Sequence, residues 1–266
     1  MIVLLTPSKT LDTQSVAPPY VRPTQPQFLL SAEKIRRVVR ALDEASLRQY
    51  MSISASLATA TKRMYEHPEI GKPALWTYSG DVYRGVVAPT LSEPAAEWAQ
   101  KHVRIVSALY GLLRPYDVID AYRLEMNASL PIDDAPTVRA FWGVALAKVV
   151  EKEANGIVLV LSSNEYAAPI VRHLSEAVRV VTPRFFDRKP NGTMGQVPIY
   201  NKQMRGVMAR WMMDSRVDSL ERLSDFAAHG YRYDADRSSE SEPAYSRPVM
   251  QPLDLPTKAQ LQKLTQ

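Results

Sequence analysis

The sequence predicts an α/β protein built on a mixed sheet with flanking helices, and two observations predict it. Short apolar runs that read as buried strands, Ile2 to Leu5, Val103 to Leu109 and Ile157 to Leu161, each end in a polar loop. Other segments place apolar residues at helical spacing, such as Ile35, Val38, Val39 and Leu42, and later Met204, Val207, Met208 and Trp211. One α/β domain over residues 1–247, elaborated in its second half, is the economical arrangement, with a proline-punctuated tail over 248–266.

The elements follow in order. After Ile2 to Leu5 comes a polar turn, Thr6-Pro7-Ser8-Lys9-Thr10, and then a connector holding Pro18, Pro19, Pro23 and Pro26. Those prolines exclude a helix interior or central strand, so the connector runs extended. Ser31 is the expected N-cap of the next helix. Ser46 to Tyr65 reads as helical with a break around Met51 to Ala55, and Leu75 to Tyr83 reads as a strand and turn. Pro94 suits a first helical turn, and Glu97 to Lys101 continues that helix. Phe141 to Lys152 is a helix closed by Asn155-Gly156. Val178 to Phe186 reads as one strand, and Lys189-Pro190-Asn191-Gly192 as a hairpin turn. The tail is expected to be partly ordered, with a short amphipathic helix.

Composition narrows the function. With 266 residues the chain can bury a sizeable core unaided, and with no cysteine it has neither disulfides nor thiolate metal sites. No apolar run reaches eighteen residues, and the N-terminus lacks a basic leader, so no membrane association and a cytoplasmic location are expected. The net charge of +5 is compatible with nucleic acid or phosphorylated ligands. His67, His102, His173 and His229 show no metal-ligand spacing, so neither a metal nor another cofactor is expected. There is no Walker loop, dinucleotide fingerprint or nucleophile elbow.

Candidate chemistry gathers where strands end. In open α/β sheets the ligand crevice lies outside the carboxyl ends of the strands, so Lys9, Arg114 and Glu165 are expected on one rim. The densest stretch is Tyr110 to Asp117 followed by Tyr122-Arg123-Leu124-Glu125-Met126. Alternating tyrosine and arginine suits a nucleic-acid surface, because phenol rings and guanidinium planes both stack on bases. A packed turn with Arg123 and Glu125 paired is the other reading. Lys202 and Arg205 are three apart and share one helix face, expected at a helix start where backbone amides favour anions. Lys9, Arg123, Glu125 and Glu165 are expected to line one polar pocket, with Thr10 and Tyr166 beside them.

These same stretches resemble the YaaA family of peroxide-stress proteins. Thr6 to Leu11 is similar to its N-terminal motif, although position 8 is more often alanine there, and Ser79 to Gly85 resembles its G-D-V-Y-x-G block. Ala108 to Asp117, continuing through Tyr122 to Met126, resembles its longest signature. Phe141-Trp142-Gly143, Ser163 to Tyr166, Tyr200 to Gly206 and Gly230-Tyr231 then follow in family order, over residues 1–250.

The resemblance implies a cytoplasmic bacterial protein that protects against hydrogen peroxide and limits damage from free iron. It also implies binding of double-stranded or branched DNA, without strong sequence preference, through a basic cleft and a helix-hairpin-helix element mapped onto Leu109 to Tyr122. The DNA- or anion-binding residues would be Lys9, Thr10, Tyr110, Arg114, Tyr122, Arg123, Lys202 and Arg205. Where the family usually has lysine, this chain has Ala168, and Arg172 is the candidate substitute. A competing reading is an enzyme acting on a nucleotide or another small phosphorylated anion in a pocket of Lys, Arg and Glu, although no catalytic motif specifies a reaction.

Overall fold

The first strand, β1 (Ile2–Leu5), is buried along its whole length and is the middle strand of a five-stranded sheet. The computed structural model describes every residue except Ser15, Ile70, Thr265 and Gln266, so the last two positions of the expected tail lie outside the described residues. From β1 the proline connector runs without helix to α1 (Leu29–Ala41), which buries Ala32, Ile35 and Val39. Its N-cap is Phe28, not Ser31. The last connector proline, Pro26, stands two residues ahead of that cap, so nothing delays the helix until Ser31.

Helices α2 (Glu44–Met51) and α3 (Ala55–Glu66) form an antiparallel hairpin with the expected break. Asp43 and Ser54 cap them, accepting from the amides of Ser46 and Leu57. Ser52, at φ 53°, makes the turn between them. A short strand β2 (Lys72–Pro73) follows, and the expected strand over Leu75 to Tyr83 is instead α4 (Ala74–Thr77) and α5 (Asp81–Val86). Aromatic residues suggested a strand there. Burial against the core decides otherwise, since Leu75, Trp76, Tyr78 and Tyr83 are all buried and Thr77 bonds back to the Pro73 carbonyl.

Helix α6 (Glu93–His102) is capped by Ser92 with Pro94 in its first turn. It leads into β3 (Val103–Ser107), which turns back through Gly111 at φ +74° into β4 (Gly111–Leu113). Strand β5 (Val118–Ile119) pairs with β2. The segment Leu109 to Tyr122 therefore forms two short strands and no helix, so the helix-hairpin-helix expected there is absent from it.

Helix α7 (Val138–Glu153), capped by Thr137, returns the chain through Asn155-Gly156 to β6 (Ile157–Leu161). After α8 (Asn164–Val171) the single strand expected over Val178 to Phe186 divides at Pro183 into β7 (Arg179–Val181) and β8 (Arg184–Arg188). Proline lacks the amide that would continue the ladder, so the chain changes sheets there. The first sheet runs β4-β3-β1-β6-β7, with β4 alone antiparallel.

Strand β9 (Met194–Gly195) closes the expected hairpin through Gly192 at φ +82°. Helix α9 (Pro198–Ser215) then buries Met204, Met208, Met212 and Met213. Strands β10 (Arg232–Tyr233) and β11 (Ala244–Arg247) complete a second sheet ordered β10-β11-β8-β9. The tail is docked as well as ordered. Arg84 donates to the carbonyls of Leu255 and Pro256, and α10 (Lys258–Lys263) carries a capping box of Thr257 and Gln260.

Candidate functional site on the carboxyl rim

The chain leaves β1 for β3 on one side and returns to β6 on the other, so a topological switch point opens beside β1. Two adjoining hollows occupy it. The larger, about 640 Å³, lies between the loop after β1 and helix α3, and Lys9, Arg63, His67, Tyr122 and Arg123 are in its wall. The smaller, about 380 Å³, is bounded by Thr6 to Thr10 after β1, Ser163 to Tyr166 after β6, the start of α5, and α9. Lys9 lines both.

Ion pairing sets the orientation of this rim. Lys9 Nζ lies 2.7 Å from Glu125 Oε1, and Arg123 Nη2 lies 4.0 Å from the same oxygen. One carboxylate therefore holds two cations, and the cluster keeps a positive excess. Arg123 Nε is buried without a hydrogen-bond partner. Glu165, in the first turn of α8, accepts from the Asn127 amide at 3.3 Å, which fixes the loop after β5 against the smaller hollow. Tyr83 donates to the Thr6 carbonyl at 2.9 Å, and burial pushes the phenols of Tyr83 and Tyr166 up, so both stay neutral donors.

Helix α9 reaches the smaller hollow because glycine meets glycine. A Cβ on Gly206 would lie 1.8 Å from the Val82 carbonyl oxygen, and one on Gly85 would lie 2.6 Å from the Gln203 carbonyl oxygen. That close approach of α5 and α9 brings Lys202 and Arg205 to the wall. They sit in the second and third turns of α9, which starts at Pro198, so the expected help from helix-start amides does not apply to them. Burial lowers the pKa of Arg205, and the like charge of Arg184 adds to this. Its Nε is buried with no partner.

The expected residues thus divide. Lys9, Arg123 and Glu125 form one cluster, and Lys9, Thr10, Glu165, Tyr166, Lys202 and Arg205 line the smaller hollow. The single pocket expected for Lys9, Arg123, Glu125 and Glu165 is two hollows sharing Lys9. Two of the others fall elsewhere, and a third reaches only the larger hollow. Arg114 follows antiparallel β4, which carries it to the opposite end of the sheet, where it pairs with buried Asp117. Tyr110 is 1% exposed, and its phenol is engaged by Arg36 and the Asp120 amide. Tyr122 offers the larger cleft only an edge, because its hydroxyl is buried between Tyr78 and Ser107, 2.7 Å from each.

Arg172 lies one helical turn beyond Ala168 and is not among the residues lining either hollow. It caps the far end of α8, roughly 12 Å from the helix start at 1.5 Å per residue, and it contacts His173. Reading residues one at a time missed Arg63 and His67. The signal was present as a stripe on α3, Ser56, Thr59, Ala60, Arg63 and His67, at helical spacing. Among the described residues no three His, Asp or Glu side chains gather as a metal cluster would require, and no helix is long and apolar enough to cross a membrane.

The described chain thus has a parallel-centred α/β sheet with a cation-lined crevice at its switch point. The chain belongs to a family: the model described as "Peroxide stress protein YaaA" matches residues 1–237. Relatives similar over nearly their whole length include UPF0246 proteins of Alteromonas mediterranea, 36% identical over 93% of this chain and 98% of that one. Another, from Caulobacter sp. strain K31, is 37% identical over 93% and 99%.

Proposed function

We propose that this member of the peroxide-stress family is a cytoplasmic protein that binds double-stranded or branched DNA with little sequence preference and thereby limits iron-dependent damage. The observation that supports this most is the placement of Lys9 between two hollows, with Arg63 and Arg123 on one side and Lys202 and Arg205 on the other. Such a row of cations suits phosphates strung along a backbone. Helix α3 supplies the outer wall of the larger cleft and adds Arg63 to its cations. Phosphate contacts carry no sequence information, which accounts for the weak preference.

The same electrostatics reaches iron through the DNA itself. Cations condensed along DNA are released when lysine and arginine take over the phosphates. Ferrous ions held in that atmosphere would leave with them, so peroxide would meet less iron at the backbone. Fluorescence anisotropy with a labelled duplex tests the reading. We expect binding at low salt that weakens log-linearly as salt rises, by about 0.9 in slope per phosphate contacted. Absence of binding at low salt, or binding indifferent to salt, rejects it.

A further inference from the structure

We propose that the smaller hollow is a binding site for a phosphate monoester, the group shared by a free nucleoside monophosphate and a 5′-phosphorylated strand end. Its volume of about 380 Å³ suits a small ligand and is too small to admit a duplex. It opens outside the carboxyl ends of β1 and β6, at the switch point where such sheets receive ligands. Lys9, Lys202 and Arg205 face Asp81 and Glu165 there. Lys9 is drawn toward Glu125 and Asp81 toward Arg84 at 3.8 Å, which leaves Lys202 and Arg205 as the cations with no ion pair shown at the hollow.

The donor set matches a phosphoryl group. Arg205 Nε is buried and lacks a partner, a state that costs stability unless a ligand supplies an acceptor. No side chain caps the first turn of α8, so that turn presents amides toward the same space. Thr10 and Ser163 add hydroxyls, whereas the Ser8 hydroxyl already donates to the Ser79 carbonyl at 3.0 Å. Gly80 keeps the loop after β1 close, since a Cβ there would meet Ser8 Oγ at 2.4 Å. A monoester carries close to two negative charges near neutral pH, whereas a backbone diester carries one. The monoester therefore gains more from this set.

This assignment does not depend on duplex binding, and either can fail while the other stands. The test is calorimetric titration of the whole protein with inorganic phosphate, AMP and adenosine, and with 5′-phosphorylated and 5′-hydroxyl single strands. We expect binding of phosphate and AMP, and none of adenosine. Arg205→Met should lose at least tenfold in affinity for AMP yet melt no lower than the parent without ligand, because it removes an unpaired, desolvated charge. Lys202→Ala, at an exposed position, should lose affinity with an unchanged melting temperature. Preference for the phosphorylated strand over AMP identifies a strand end as the ligand, and the reverse identifies a free nucleotide. Absence of AMP binding at millimolar concentration, or equal binding by both variants and the parent, overturns the assignment.

Discussion

Replacing Gly206 by valine is expected to give the largest functional and stability loss of any single substitution in α9. The added Cβ would sit 1.8 Å from a backbone oxygen of α5, and 2.7 Å from the adjoining Val82 carbonyl carbon. Neither is the end of a flexible side chain, so the two helices must separate. Overpacking usually costs about 1–3 kcal/mol, and a clash with rigid backbone on both sides belongs at or above the upper end. For a chain of this size that corresponds to a fall in melting temperature of roughly 10 °C. Separation of α9 from α5 also withdraws Lys202 and Arg205 from the hollow, so anion binding should fall further than unfolding at the assay temperature explains. Calorimetric melting and AMP titration on the same sample check both effects. A Gly206→Val protein that melts like the parent contradicts the close packing.

Asp187→Ala is expected to destabilise comparably, for a different reason. Asp187 is fully buried, and Arg247, 2% exposed, lies 2.5 Å from it through Nε. Tyr231 donates to the second carboxylate oxygen at 2.8 Å, and the guanidinium stands over the rings of Tyr200 and Tyr231. Removing the carboxylate leaves a buried guanidinium without its counter-charge, which costs about 3–5 kcal/mol. Arg247 Nη1 already lacks a hydrogen-bond partner, and Nη2 has only the neutral Gln251 carbonyl. The double change Asp187→Leu with Arg247→Met should recover most of the loss, since burying an ion pair is itself expensive. Urea unfolding of the two variants checks the pair. Equal stability of parent and Asp187→Ala would show that the pair contributes little.

How far the sequence disclosed this arrangement varied with the range of the interaction that decides it. Strands β1 and β6 were legible because continuous apolar runs of four and five residues have no other use in a buried parallel sheet. The break between α2 and α3 and the Gly192 hairpin were legible from local backbone chemistry. Residues 74–86 were not, because burial of Trp76 and Tyr83 overrides the strand preference of aromatic residues. The site was half legible. Lys9 and Glu165 each follow a parallel strand, and both line the smaller hollow. Arg114 follows the one antiparallel strand of the first sheet, whose reversal at Gly111 the rule for parallel strands does not cover. Arg63 escaped notice because its place on the rim depends on how the α2–α3 hairpin docks, a contact between distant segments.

The measurement closest to the heart of this reading is the salt dependence of DNA affinity in two charge-matched double variants. One removes rim cations, Arg123→Gln with Lys202→Gln. The other removes two exposed lysines, Lys148→Gln with Lys152→Gln, near the end of α7 that leads into the start of β6. Both change the net charge equally, so any effect of total charge cancels between them. If the carboxyl rim holds the phosphates, the rim variant should lower the slope of log affinity against log salt by about 2, one per lost contact. The far-end variant should keep the parental slope. Equal slopes in the two variants, or a loss confined to the far-end pair, would contradict the placement of the binding surface on the carboxyl rim.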